Sequence, residues 1–343
     1  MPLKTNLSIF IATLVILSLP TDLSAQKMVA SGRNAEKIIS EEKLETDIEY
    51  LTDSLFKGRK TGTRGANEAA FWLVRRFQRD SISPIKYKGD PSRPAFDSWS
   101  QSFKAGDAAG HNIVGFMPGR RDKENKRYTI VSAHYDSFGI IDGVFYPGAD
   151  CNASGVVAMA SVADMFTRMK QLERSYNDNL IFVGFDGRSL NSAGSEAFWK
   201  ALADGRFIDP VSGETIRKED IRAMVSLDIL GSVLSPIHKG RKDYLLMLSG
   251  GHYMSDLRDA NEGEGLGLDL AYSYYGSKSF TEMFYDRVGE QSVFVRNGIR
   301  GVVFTSGITM RTNKPDDVPM SLNYEILKKR IFLIFHWLEK IMV

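Results

Sequence analysis

Apolar residues recur at helical spacing from Glu42 onward, with Leu44, Ile48, Leu51 and Leu55 on one face. After Gly58-Arg-Lys-Thr-Gly-Thr-Arg-Gly65 a second stripe runs through Ala69, Phe71, Leu73, Val74 and Phe77. Pro84, Pro91 and Pro94 break the pattern over 83–97 and predict an irregular crossing. Alternation over Ser98–Phe103 and apolar runs further on predict strands at 98–103, 111–118, 127–133, 179–185, 222–229, 243–248 and 300–304. Helical spacing predicts helices at 153–169, 194–204, 252–262 and 321–341. Strands and helices that alternate in this way predict an α/β fold: three layers, α/β/α, around a mixed, mostly parallel central sheet. The last helix, with Leu327, Ile331, Leu333, Ile334 and Leu338, is expected to cover that sheet.

No linker composition divides residues 41–343, so the chain reads as one domain preceded by a polar, loosely ordered segment at 26–40. The first 25 residues follow a different pattern. Lys4, an apolar run from Ile9 to Leu19 and Leu23-Ser-Ala25 have the order of a signal peptide. The expectation is export to a periplasmic or extracellular location. No later run reaches the roughly 20 apolar residues of a membrane span. With a formal charge of +2 and 25% charged residues, no basic face for nucleic acid is implied. Cys151 is the single cysteine, so no intrachain disulfide can form. Gly263-Glu-Gly-Leu-Gly267 precedes an apparent strand with no helix directly after it, which is the wrong context for a dinucleotide loop.

The chemistry concentrates where the strand Tyr128-Thr-Ile-Val131 runs into Ser132-Ala-His-Tyr-Asp-Ser137 and then Pro147-Gly-Ala-Asp-Cys-Asn-Ala-Ser-Gly155. Ligands in α/β sheets bind at such carboxyl ends of strands. These residues resemble the metal-site core of the co-catalytic zinc aminopeptidase family, which includes bacterial leucyl aminopeptidases, glutamate carboxypeptidase and glutaminyl cyclases. The resemblance extends to Gly58-Arg-Lys-Thr-Gly-Thr63, to Asn112-Ile-Val-Gly115, and through roughly residues 42–341. It implies that family's three-layer fold and a site of two zinc ions, a bridging carboxylate and a general base.

Position by position, the resemblance makes His134 a zinc ligand and Asp136 the carboxylate that orients it. The bridging-Asp position holds Cys151; the adjacent Asp150 points another way along the chain. The consecutive Glu-Glu of the family falls on Arg188 and Ser189, in a register set by Ala193-Gly-Ser-Glu-Ala-Phe198. Arginine is neither a base nor a cation ligand. Asp186 lies two residues earlier and would need a local shift to reach the site. Asp228, after Met224-Val-Ser-Leu227, matches a second-ion carboxylate, and Asn313, in Asn313-Lys-Pro-Asp-Asp-Val318, stands where the last His ligand belongs. The family's Ser-Asp-His element corresponds to Gly289-Glu-Gln291. His111, His238, His252 and His336 fall outside these motifs and read as surface or packing residues.

No confident catalytic residue remains, and the expected cofactor is one zinc or none. The leading expectation is an exported, non-catalytic peptidase homologue that binds a peptide or small-molecule ligand in the former cleft. The alternative is a metallo-aminopeptidase or related hydrolase with one zinc on His134, Cys151 and Asp228, its base being Asp150 or Asp136. In either case Arg188 is expected to supply, among Asp136, Asp150 and Asp228, positive charge that metal supplies in the family.

Overall fold

The computed structural model describes residues 34–88, 96, 97, 99–120, 126–233 and 241–343. The proposed leader at 1–25, residues 26–33 and His238 lie outside the described residues. A ten-stranded mixed sheet forms the middle layer. Its main strands are β1 (Ser100–Ala105), β2 (Ala108–Met117), β3 (Tyr128–His134), β4 (Asn179–Phe185), β5 (Ile221–Leu227), β6 (Tyr244–Leu248), β7 (Asp269–Ala271) and β8 (Gly301–Thr305). Their spatial order is β7-β6-β8-β5-β3-β4-β2-β1, with Phe96–Asp97 beyond β1 and Ser83–Pro84 paired to β2.

The four central strands β8, β5, β3 and β4 are mutually parallel. On one flank β2 and β1 run antiparallel; on the other, β6 is antiparallel to β8 and parallel to β7. Every residue of β3 is buried. A strand covered on both faces need not alternate, which is why Tyr128–His134 shows no regular apolar–polar alternation.

The helices are α1 (Glu41–Leu51), α2 (Arg64–Arg79), α3 (Ser154–Gln171), α4 (Ala193–Ala203), α5 (Met254–Gly263), α6 (Lys278–Arg287), α7 (Gln291–Val295) and α8 (Tyr324–Ile341). Residues of α1, α2, α3, α5 and α8 share one buried apolar cluster with the sheet. The α4 and α7 residues Phe198, Leu202, Val293 and Phe294 join a second cluster with Val114, Ile130 and Ile181. These are the outer layers of the expected sandwich.

Several local expectations are corrected. α1 stops at Leu51, and Leu55 is 83% exposed on a following 3-10 turn. The segment expected to be loose over 26–40 is packed at its end, where Ala35 and Ile39 are buried. α6, α7 and a hairpin of Gly139–Ile141 with Val144–Tyr146 were not foreseen. α6 contains no fully buried residue and so lacks a clear apolar stripe, and Gln291-Ser-Val-Phe-Val295 is too short to distinguish a helix from a strand by period.

Candidate functional site

The carboxyl ends of β3, β4, β5 and β8 converge on one cleft, a cavity of about 300 Å³. His134 is the last residue of β3, and the chain turns at Gly148 into Ala149–Ala153, which leads to α3. At Gly148 φ is +65°, and a Cβ there would lie 2.6 Å from the Cys151 carbonyl oxygen, so only glycine fits this turn. Asn152 then joins three loops. Its amide donates to the carbonyls of His134 and Leu227, and its oxygen accepts from the N–H groups of Gly155 and Ile229. Gly155 allows the close approach, because a Cβ on it would lie 2.4 Å from the Leu227 oxygen.

Two buried arginines brace the loops from behind. Arg59 donates to the carbonyls of Tyr135, Leu51, Pro147 and Gly148. Arg330 donates to those of Tyr244, Leu230 and Ser232. Burial lowers both guanidinium pKa values to about 10. Backbone acceptors therefore hold charges that would otherwise be costly to bury.

On the cleft floor His134 Nδ1 lies 3.3 Å from Asp136 Oδ1, and its Nε2 lies 3.5 Å from Asp228 Oδ1. Burial favours the neutral imidazole, yet Asp136, Asp228 and Cys151 outweigh it and raise the His134 pKa well above its ordinary value. Asp136 is buried too, which alone would push its pKa up. His134 and the N–H groups of Ser189 and Arg188 prevail and hold it down. Both Asp136 oxygens are engaged by Arg188 N–H, Ser189 N–H and the Ser189 hydroxyl, each at 3.1 Å. The Cys151 thiol points to Asn313 Oδ1 at 3.3 Å, and burial raises its pKa.

A ring nitrogen of His134, the Cys151 Sγ and a carboxylate oxygen of Asp228 all lie within 4.8 Å of one another. Asp228 Oδ1 is buried without a hydrogen-bond partner. Three donors, a His ring fixed by a carboxylate on its far side and an unsatisfied carboxylate oxygen suit one zinc ion. A second ion is not suited: Ser189 is turned onto Asp136, and Asn313 offers only a neutral amide.

Not every expected residue joins the cleft. Asp150 faces away: its carboxylate accepts from Gly231 N–H, Ser232 N–H and the Ser154 hydroxyl, and burial beside Asp317 raises its pKa to about 7. It is neither near Arg188 nor placed as a base. Asp186 also stays outside, bonded to Thr61 Oγ1 and to the N–H groups of His111 and Gly187.

Arg188 instead meets Glu290, with Nε 3.6 Å from Oε1. Glu290 is 1% exposed, and neither of its oxygens has a hydrogen bond. Sequence reasoning placed its segment near the site but missed its charge. It also missed Asp317, whose two oxygens accept from the N–H groups of Asp150 and Cys151 and so aim the Cys151 turn. Its position inside Asn313–Val318 was the available signal. Of the surface or packing roles expected for His336 the structure shows packing: it is buried, and its two nitrogens face Glu36 at 2.8 Å and Glu339 at 3.0 Å.

Comparison with known proteins follows the same lines. The profile of peptidase family M28 matches residues 112–337, well over half the chain. The chain belongs to peptidase family M28. Among solved M28-like folds, the LapA aminopeptidase of Legionella pneumophila superposes with a TM-score of 0.66 at 15% identity, covering 92% of this chain and 75% of that one. The zinc aminopeptidase BSAP of Bacillus subtilis gives 0.63 at 13%, covering 87% and 94%. The glutaminyl cyclase of Fimbriiglobus ruber gives 0.62 at 15%, covering 88% and 95%. These likenesses establish the fold.

Among sequence relatives, the BOS complex subunit ncln of Danio rerio is 27% identical over 158 residues, 44% of this chain and 26% of that protein. Nicastrin of Caenorhabditis elegans is 27% identical over 122 residues, 35% and 17% of the two lengths. The M28 chain therefore matches only about a quarter, or less, of these relatives' own lengths.

Proposed function

We propose that this M28 member is an exported peptidase homologue that binds a peptide or small-molecule ligand in its cleft and does not hydrolyse it. One observation carries the reading. At the two positions where the family's acidic pair belongs, the main chain of Arg188 and Ser189 is tied to Asp136 and the Arg188 guanidinium faces Glu290. A metal-activated water needs a nearby carboxylate to take its proton. Here Asp136 is engaged on both oxygens and Asp150 is turned away, so neither expected base is available. The cleft wall, with Phe138, Leu248, Tyr274, Phe284 and Val303, favours an apolar side chain beside the polar floor. Similarity to subunits of the BOS complex supports a binding role and, beyond it, membership of an assembly.

The test uses the purified chain in zinc-containing buffer. Leucine anilide should show no turnover above the buffer rate, whereas a tripeptide with an apolar first residue should raise the thermal midpoint, and less so with Arg188→Ala. Turnover that a chelator abolishes would overturn the reading. The convergence of His134, Cys151 and Asp228 favours a second reading, a hydrolase with one zinc; chelator-sensitive turnover is the result it requires.

Export rests on Lys4, the apolar run Ile9–Leu19 and Leu23-Ser-Ala25. Among the described residues, no helix is long and apolar enough to cross a membrane. Expressed with its own N-terminus, the released protein should begin at Gln26 by N-terminal sequencing; retention of Met1 would contradict export.

A further inference from the structure

We infer that the cleft is a one-metal thiolate site in which the chain supplies the other cation itself: His134, Cys151 and Asp228 take a single zinc, and Arg188, balanced by Glu290, occupies the remaining charge position. This deepens the metal content of the proposed binding cleft without depending on whether the cleft turns substrate over.

Three observations support the metal half. The donor atoms are already gathered within 4.8 Å, and one of their gaps, from His134 Nε2 to Asp228, is 3.5 Å. Donors bound to zinc at about 2.0–2.3 Å stand roughly 3.3–3.8 Å apart, so small side-chain adjustments suffice. The Asp228 oxygen facing His134 is buried, and its nearest polar neighbour is the His134 ring at 3.5 Å, so a zinc ion that displaces the imidazolium proton would take up both donors at once. The His134 ring is held from behind by Asp136, so its other nitrogen faces the donors. Asn313 fits the thiolate as well. Its oxygen now receives the thiol proton, and turning the amide over would present its NH₂ group to the metal-bound sulfur.

The arginine half rests on Glu290. A carboxylate 1% exposed, with both oxygens lacking a hydrogen bond, is costly unless a cation stands beside it. Arg188 is that cation at 3.6 Å, and its guanidinium also acts electrostatically on Asp228 and Cys151. A fixed guanidinium repels a second divalent ion from the side where Ser189 and Asn313 offer no anionic ligand. Thiolate and imidazole donors select zinc or similar soft-tolerant ions over magnesium or calcium.

Equilibrium dialysis of the purified chain against zinc alone should give one ion per chain. Cys151→Ser should weaken binding at least tenfold, as should Asp228→Asn, which preserves side-chain shape. With Co(II) as the probe, a sulfur-to-cobalt charge-transfer band should appear and be absent from Cys151→Ser. Two ions per chain, no ion, or a band that survives Cys151→Ser would overturn the inference. For the arginine half, Arg188→Gln should lower the thermal midpoint and the double variant Arg188→Gln/Glu290→Gln should recover most of the loss; additive losses would overturn the pairing. Zinc uptake and leucine anilide turnover separate the two claims. No zinc and no turnover removes this inference and leaves the binding reading, while one zinc with turnover does the reverse.

Discussion

Asn152 shows how much of the site depends on one side chain. It is fully buried, and its amide makes four hydrogen bonds that join the ends of β3 and β5 to the start of α3. Asn152→Ala removes the amide and leaves two backbone N–H groups and two carbonyls without it. Each hydrogen bond is worth about 0.5–1.5 kcal/mol net, and an abandoned buried partner costs more. Chemical denaturation should show a loss of about 3 kcal/mol or more. Cys151 and Asn313 show the complementary point. Their identities were plain in the sequence as departures from the family pattern. That the thiol and amide meet, and that the nearby charge pair is Arg188 with Glu290 and not with Asp150, depended on loops whose paths are set by contacts across the chain.

At the scale of elements, α8 was the most legible piece, since Leu327, Ile331, Ile334 and Leu338 repeat at helical spacing, and all are buried. α6 was the least legible, because its polar sequence meets the apolar cluster only through the partly buried Phe280, Phe284 and Tyr285. The docking of residues 34–39 on α8 is a matter of paired elements and carries a pH signature. His336 faces Glu36 from the N-terminal segment, Glu339 from its own helix and, at 3.9 Å, Glu264 at the end of α5. The Tyr176 hydroxyl donates to the Glu339 carboxylate, and Lys340 and Asp259 pair close by. Burial lowers the His336 pKa, but Glu339 and Glu36 prevail and raise it to about 9. A pKa raised on folding means that the imidazolium's contribution is complete below about 6.5, the unfolded value, and is lost as pH rises through about 9. The unfolding free energy from chemical denaturation should fall between pH 7 and 10 by an amount on the order of 2–3 kcal/mol, and His336→Gln should flatten that slope. A wild-type slope no steeper than that of His336→Gln would refute the assignment.

For the whole molecule, one sheet carries apolar cores on both faces, and α8 closes the larger of them. Leu333 has no exposed surface. Leu333→Ala should therefore cost about 2–5 kcal/mol and shift a single unfolding transition, seen alike by tryptophan fluorescence and circular dichroism. Two transitions would show that the layers unfold separately. The balance of charge is also a property of the whole molecule. Buried Arg59 ties the segments at 135 and 148 together, and buried Arg330 does the same for 230 and 232; neither residue announces this role in the sequence, because its partners are main-chain carbonyls that every residue possesses.

The layered α/β fold and the parallel strands at its centre were legible in the sequence, and resemblance to the family pattern assigned His134, Cys151, Arg188, Ser189, Asp228 and Asn313 to one cleft. These depend on hydrophobic period and on local motifs, which act over a few residues. Contacts across the chain settled which partners hold Asp150 and Asp186 outside the cleft, that Glu290 answers Arg188, that Asp317 aims the Cys151 turn and that His336 is enclosed by acids from three elements. Those outcomes arise because a buried charge must find its partner in space, and the partner's distance along the chain carries no information about where folding will bring it.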